Sequence, residues 1–250
     1  MSKHKLITRA SKGASITETQ NGFRLKIPAS QKFGYRLAQL DDYNFLPRRK
    51  FPHHSLTLSL RARASSRLIP GTWGFGIWND PFVLSLGLAG VPFRMPALPN
   101  AAWFFHASPE SHLSFTEAGP GSGFLAQTFR APRFHPLLIP AGLAIPFSRK
   151  VTRRLLGRAI DEEEIALSVD VTQWHGYRLE WSQKRVLLEV DDVPVLETSV
   201  SPRGPLGVVI WIDNQYAAFT PEGKIAMGFL EGKEEWIEIQ DVQVGEPQTP

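Results

Sequence analysis

Trp211-Ile212-Asp213-Asn214-Gln215 places an acid and two amides at the end of an apolar run, Leu206 to Ile212. An acid in that position is a hydrogen-bonding anchor for a polar ligand or a general acid/base. Its bland duty, shared with Asn214, is to cap the turn that follows. A second group centres on Trp78, which has the same period-two parity as Gly74 and Gly76 in Thr72-Trp73-Gly74-Phe75-Gly76-Ile77-Trp78-Asn79. Glycine weakens a strand unless a ligand, an aromatic ring or another backbone comes close. That face therefore reads as a groove floor with Trp78 as a stacking platform; the competing reading packs Trp78 over the glycines in a core. A third stretch, Trp103-Phe104-Phe105-His106-Ala107-Ser108, offers Trp103 or His106 to the same cleft, with Glu110 just downstream. The expected catalytic residues are His106, Asp213 and Glu110. The expected ligand-binding residues are Trp78, Trp103, Trp211, Asn214 and Gln215.

Several chemistries are excluded by what the chain lacks. It has no cysteine, so disulfides, thiolate metal sites and a cysteine nucleophile are absent. His53 and His54 are adjacent and point to opposite faces of a strand, and Pro109 separates His106 from His112. No His-x-His or His-Glu-x-x-His spacing occurs, so no metal site and no cofactor is expected, apart from a structural calcium held by backbone oxygens and one aspartate. There is no phosphate-binding loop and no dinucleotide fingerprint; Gly119-Pro120-Gly121-Ser122-Gly123 reads as a flexible turn. No serine stands in a strand–turn–helix elbow. The net charge of +4 is spread along the chain, so no nucleic-acid partner is expected. No stretch reaches the roughly 18 uncharged apolar residues of a membrane span, and the N-terminus has no apolar core of leader length. The expected location is cytoplasmic, although a chain whose leader had been cleaved would read the same.

The elements that must position these side chains are mostly strands. Phe23, Leu25 and Ile27 alternate with polar neighbours; so do Leu56, Leu58 and Leu60, then Tyr177, Leu179 and Trp181, then Val186, Leu188 and Val190. Period-two alternation marks a strand with one buried face. Asp191-Asp192 is a turn leading to a further strand from Pro194 to Val200. Arg61, Arg63 and Arg67 belong on or near the wet face of theirs. The 20 Pro and 20 Gly of the 250 residues favour turns over long helices. Residues 1–20 read as a loose arm or an edge strand. Pro81 to Asn100 and residues 134–147 are apolar yet rich in Pro and Gly, and are expected to wall an oily pocket or to pack on the outer sheet. Ser148 to Glu164 is the one predicted helix, with Val151, Leu155 and Leu156 at helical spacing; its basic start and acidic end oppose the macrodipole.

The order aromatic–x–Tyr177–x–Leu179–x–Trp181, hairpin, Val186–x–Leu188–x–Val190–Asp191–Asp192, Pro194–Val195–Leu196, with the Trp73/Trp78 strand upstream, resembles the concanavalin A-like lectin/glucanase superfamily. Within it the likeness is to family 16 glycoside hydrolases and their non-catalytic relatives, over residues 55 to 245. The resemblance implies an all-β fold: a single two-sheet antiparallel β-sandwich of jelly-roll type over residues 1–250, with one short helix. It also implies a ligand site on the concave sheet. Active members carry Glu–x–Asp–x–x–Glu on the strand after the Trp-rich one, which turns the carboxylates to one face as a retaining nucleophile and acid. Here the corresponding stretch is Ala101-Ala102-Trp103-Phe104-Phe105-His106, without a carboxylate. A standard retaining mechanism is therefore not expected.

Two functions follow. The first is a lectin-like binding protein that holds a glycan or other small molecule in an aromatic groove. The second is a metal-independent enzyme acting on an apolar metabolite through His106, Asp213 or Glu110. Trp78 exposed in an open groove favours the first; a closed chamber lined by Phe and Leu favours the second.

Overall fold

The structure, a computed structural model, describes residues 6–11, 13–29, 34–81, 97–116, 119–132, 153 and 157–247. Sixteen strands appear among them: β1 (Ile7–Ala10), β2 (Ser15–Thr19), β3 (Gly22–Ile27), β4 (Leu37–Asp41), β5 (Leu56–Ala64), β6 (Thr72–Trp78), β7 (Ala101–Ala107), β8 (Gly123–Arg130), β9 (Asp161–Ala166), β10 (His175–Trp181), β11 (Val186–Val190), β12 (Val193–Thr198), β13 (Gly207–Asp213), β14 (Gln215–Phe219), β15 (Ile225–Phe229) and β16 (Glu235–Gly245). They form two seven-stranded antiparallel sheets. The front sheet runs β1-β4-β13-β6-β7-β8-β9 and the back sheet β12-β11-β10-β5-β16-β3-β2, while β14 and β15 pair separately. This is the expected jelly-roll β-sandwich.

The alternation read from sequence is what welds the sheets. In β5 the burial pattern alternates along the strand, with Leu56, Leu58 and Leu60 at 0–3% exposure. Their cross-strand partners in β10 are Trp181, Leu179 and Tyr177. From the front sheet, Trp73, Phe75 and Ile77 of β6, Phe104 of β7 and Ile210 and Ile212 of β13 enter the same core. Each such aliphatic side chain contributes about 1.5–3 kcal/mol, an upper figure because unfolded chains already bury part of this area. Asp191 and Asp192 both have positive φ, at 49° and 63°, as a two-residue turn between β11 and β12 requires.

One alternative is decided and one expectation changes. Of the two readings of the N-terminus, the edge strand holds where the segment is described: β1 pairs with β4 and β2 with β3 at the sheet edges. A buried ion pair, Arg9 Nε to Asp41 Oδ2 at 2.8 Å, fastens β1. Of the predicted helix 148–164, only Arg153 and residues 157–159 are described as helical, and most of the rest lies outside the described residues. Its acidic end belongs instead to β9, where Asp161 to Ile165 pair with β8. The two apolar loops expected to wall a pocket fall largely outside the described residues. Among the described residues no helix is long and apolar enough to cross a membrane.

Candidate functional site

The outer face of the front sheet carries a second buried cluster, separate from the inter-sheet core, that includes Trp103, Phe105, Trp211, Val209 and Tyr43, with Trp78 against it. Parity explains its membership. Odd-numbered residues of β7 and β13 and even-numbered residues of β6 share this face because Gly76 is the cross-strand partner of both Trp103 and Val209. The two glycines turn out to accommodate the adjacent strand β7. A Cβ on Gly74 would lie 2.4 Å from the Phe104 carbonyl oxygen and 3.0 Å from Trp211 Cη2; one on Gly76 would lie 2.6 Å from Trp103 Cβ. Close approach of the neighbouring β7 backbone accounts for both glycines, and at Gly74 the Trp211 ring adds to it.

The three indoles form one group. Trp78 and Trp211 are parallel to within 5° at 5.9 Å between centroids, and Trp103 lies 6.1 Å from Trp78 and 5.7 Å from Trp211. Each N–H is committed within the protein. Trp78 Nε1 donates to Tyr43 Oη (2.5 Å), Trp103 Nε1 to Gln127 Oε1 (3.0 Å) and Trp211 Nε1 to Thr72 Oγ1 (3.0 Å). Those bonds fix the ring planes and leave only ring faces for contact. Trp103 and Trp211 are 4% and 6% exposed, whereas Trp78 is half-buried. Trp78 is thus the accessible ring, backed by the other two.

At one side of the indoles stands Asp213. Its Oδ1 accepts from Thr72 Oγ1 (2.8 Å), Gln215 N (3.1 Å) and Thr72 N (3.3 Å), and its Oδ2 from Tyr35 Oη (3.4 Å). Thr72 Oγ1 links the carboxylate to the Trp211 N–H. Burial outweighs these hydrogen bonds and pushes the carboxyl up to about 7. The bond from Gln215 N is the turn-capping duty, so Asp213 caps and is a buried, near-neutral acid at once.

At the other side the structure assembles a carboxylate pair that helical spacing had hidden. Gln127 Nε2 donates to Glu162 Oε1 (2.8 Å) and Glu164 Oε2 (3.0 Å), both on β9. Glu162 Oε2 also accepts from Phe115 N (2.7 Å) and Thr116 N (3.2 Å). Burial, reinforced by the neighbouring Glu164, pushes Glu162 up to about 7, and burial raises Glu164 too. Beyond β13, Gln39 Nε2 donates to Asp41 Oδ2 (3.1 Å) and Tyr43 Oη (3.2 Å), so Arg9, Asp41, Gln39, Tyr43 and Trp78 form one chain of polar contacts. Sequence reasoning missed Thr72, Tyr43, Gln39, Gln127, Glu162 and Glu164. The available signal was a polar residue at the outward parity beside apolar neighbours in a buried strand, as Gln39 in β4 and Gln127 in β8.

Of the expected site residues, the structure brings Trp78, Trp103, Trp211 and Asp213 together. His106 does not join them: three positions from Trp103, it has the opposite parity and points into the inter-sheet core. It stacks on Trp73 at 5.8 Å and 18°, with Nε2 on the Ile69 carbonyl at 3.2 Å. Burial lowers its imidazole to about 4. Glu110 is exposed in the turn after β7. The Asn214 amide is committed to backbone: Nδ2 donates to Gly34 O and Leu230 O (3.0 Å each) and Oδ1 accepts from Arg36 N (2.8 Å). Gln215 opens β14, half-buried. Among the described residues no cluster of three or more His, Asp or Glu side chains is arranged to hold a metal ion.

No protein-family model matches the sequence, and no curated relative matches it. Solved structures do match in shape. The endo-β-1,4-glucuronan lyase of the fungus Trichoderma reesei superposes with a TM-score of 0.53 at 10% identity, over 96% of this chain and 90% of that one. A family 16 endo-glucanase of Bacteroides ovatus gives 0.52 at 9% identity, over 98% and 96%. LamAcat of Zobellia galactanivorans gives 0.50 at 14% identity, over 92% and 80%. These structures share the antiparallel jelly-roll β-sandwich fold of this chain.

Proposed function

We propose that the chain is a lectin-like binding protein that holds a glycan or another small ring compound against Trp78 on the outer face of the front sheet. The observation that carries this reading is the locked indole group. Three ring planes are fixed by bonds to Tyr43, Gln127 and Thr72, and the accessible one is backed by a parallel partner. Sugar rings stack on indoles through their apolar C–H faces, and a platform fixed beforehand loses little entropy on binding. The shape neighbours include proteins named for action on glucuronan and glucan, which makes such oligosaccharides the first compounds to try. Saturation-transfer NMR with cello- and laminari-oligosaccharides is the test. Sugar-ring protons should receive saturation from the wild type and lose it in Trp78→Ala, with both proteins held well below their melting temperatures. Equal transfer to both proteins refutes the assignment.

One observation favours a second reading, acid/base catalysis on the same face. A carboxyl held at about 7 is half protonated near neutrality, the condition for efficient proton transfer. Turnover of any ligand found above, with a pH inflection near 7 that vanishes in Asp213→Asn, selects this reading over simple binding.

A further inference from the structure

A cavity of about 440 Å³ opens at the end of the sandwich where β7 stops and β8 begins. It lies off the inter-sheet core, across the front sheet from the indole face. Its wall includes His106 and Phe124, cross-strand partners on the inner face of β7 and β8, with Val169 from the segment after β9. At the rim Leu68 is 70% exposed, and Arg67 pairs with Asp170.

The chemistry of this wall is specific. A carbonyl oxygen can only accept, so the contact of His106 Nε2 with Ile69 O at 3.2 Å places the ring proton on Nε2. Nδ1 is left as a lone-pair acceptor to which no described residue donates. The imidazole stays neutral across the physiological range because burial holds it near 4. The rim offers no unmatched charge. Arg67 reaches Asp170 with Nε on Oδ1 (3.1 Å) and Nη2 on Oδ2 (2.5 Å), and Thr172 Oγ1 adds a bond to Oδ1 (2.7 Å). The pair leaves the rim without net charge, so a charged ligand gains no net electrostatic attraction there. Largely apolar walls from Phe124, Leu167, Val169 and Val171, an acceptor on His106, the Ser168 hydroxyl and a rim without net charge, in a volume typical of small-molecule sites, suit one kind of occupant.

We infer that this cavity is a second ligand site, which takes an uncharged one- or two-ring aromatic or alicyclic compound bearing a hydroxyl that donates to His106 Nδ1. The face carrying Trp78 takes no part in it.

The probe is 2-naphthol, with naphthalene as the partner lacking the donor, added to full-length chain labelled with ¹⁵N-histidine at pH 7. Expected is a saturable shift of the His106 Nδ1 resonance with 2-naphthol, and binding of naphthalene about tenfold weaker, the worth of one hydrogen bond. Val169→Trp, which fills the cavity, should abolish the shift. His106→Phe keeps the ring that stacks on Trp73 and, with affinities read from saturation transfer to the probe protons, should bind the two probes equally, so it decides the matter even where Val169→Trp is too unstable to use. Trp78→Ala should bind 2-naphthol as the wild type does. No saturable shift up to the solubility limit, equal affinity of the wild type for both probes, or loss of binding in Trp78→Ala overturns the inference.

Discussion

Asp213→Asn separates a buried, near-neutral acid from an ordinary capping aspartate through the pH dependence of stability. An asparagine can keep its oxygen where Oδ1 accepts from Thr72 N, Thr72 Oγ1 and Gln215 N, and its amide can meet Tyr35 Oη. Shape is conserved and only ionisation is lost. In the folded chain the carboxyl titrates at about 7, against an ordinary 3.8. The folded state therefore binds the proton more tightly than the unfolded state. The stability this contributes is fully present below about pH 4 and is lost as the pH rises through 7. At one pH unit for about 1.4 kcal/mol, the wild type should lose about 3 kcal/mol more than Asp213→Asn between pH 5 and pH 8, once the part already lost by pH 5 is subtracted. Urea unfolding of both proteins at half-unit pH steps measures this. The difference between the two stability curves should widen steadily from pH 5 and level off above pH 8. Parallel curves mean that Asp213 is ionised throughout, and its role as a near-neutral acid is then wrong.

Asn214→Ala should lower stability by about 2–4 kcal/mol in urea unfolding, because Gly34 O, Leu230 O and Arg36 N all lose their side-chain partner; an unchanged midpoint would return Asn214 to the list of ligand contacts. Gly74→Ala should leave little folded protein in a thermal melt, since its Cβ would lie 2.4 Å from the Phe104 carbonyl oxygen. Gly245→Ala, where nothing lies within 4 Å, should stay within about 0.5 kcal/mol of wild type in the same experiment. Purified protein should release no reducing sugar from laminarin or lichenan, and release that persists through Asp213→Asn and Glu162→Gln would show that carboxyls elsewhere do the work.

The back-sheet strands β5 and β10 were legible because they keep a two-residue period, whereas front-sheet strands such as β7 and β13 are buried on both faces and read as apolar runs; the Asp191-Asp192 turn carries its own signal. The site was legible only where parity speaks. Gly74, Gly76 and Trp78 could be assigned to one face from spacing, and Trp211 follows from the apolar run. His106 illustrates the cost of ignoring parity: three residues from Trp103, it had to face the other way. Asn214 was misread because its three partners come from segments 16 to 180 residues away, where no local pattern registers. Glu162 and Glu164 were hidden by a different effect. A run of acids after Leu155 and Leu156 looks like a helix surface, yet at a sheet edge the same residues alternate between Gln127 and solvent. Only tertiary pairing with β8 distinguishes these outcomes.

The placing of the acids on the outer face limits what they can do together. Asp213 is on β13 and Glu162 on β9, with β6, β7 and β8 between them, four steps of about 4.8 Å and so about 19 Å. Asp41 is on β4, next to β13, but is paired with Val209, four residues along the strand from Asp213. At about 3.4 Å per residue these two are about 14 Å apart. Glycosidase carboxyls stand about 5–5.5 Å apart when retaining and about 6.5–9.5 Å apart when inverting, so neither combination can act on one bond. Glu162 and Glu164 are close enough, but the Gln127 amide lies between them, bonded to both, where a glycosidic oxygen would have to enter. The face therefore presents solitary acids beside indoles. Under the proposed reading such an arrangement would grip a ring and anchor a hydroxyl at one side, and proton transfer there would run through Asp213, with no second carboxyl beside it among the described residues.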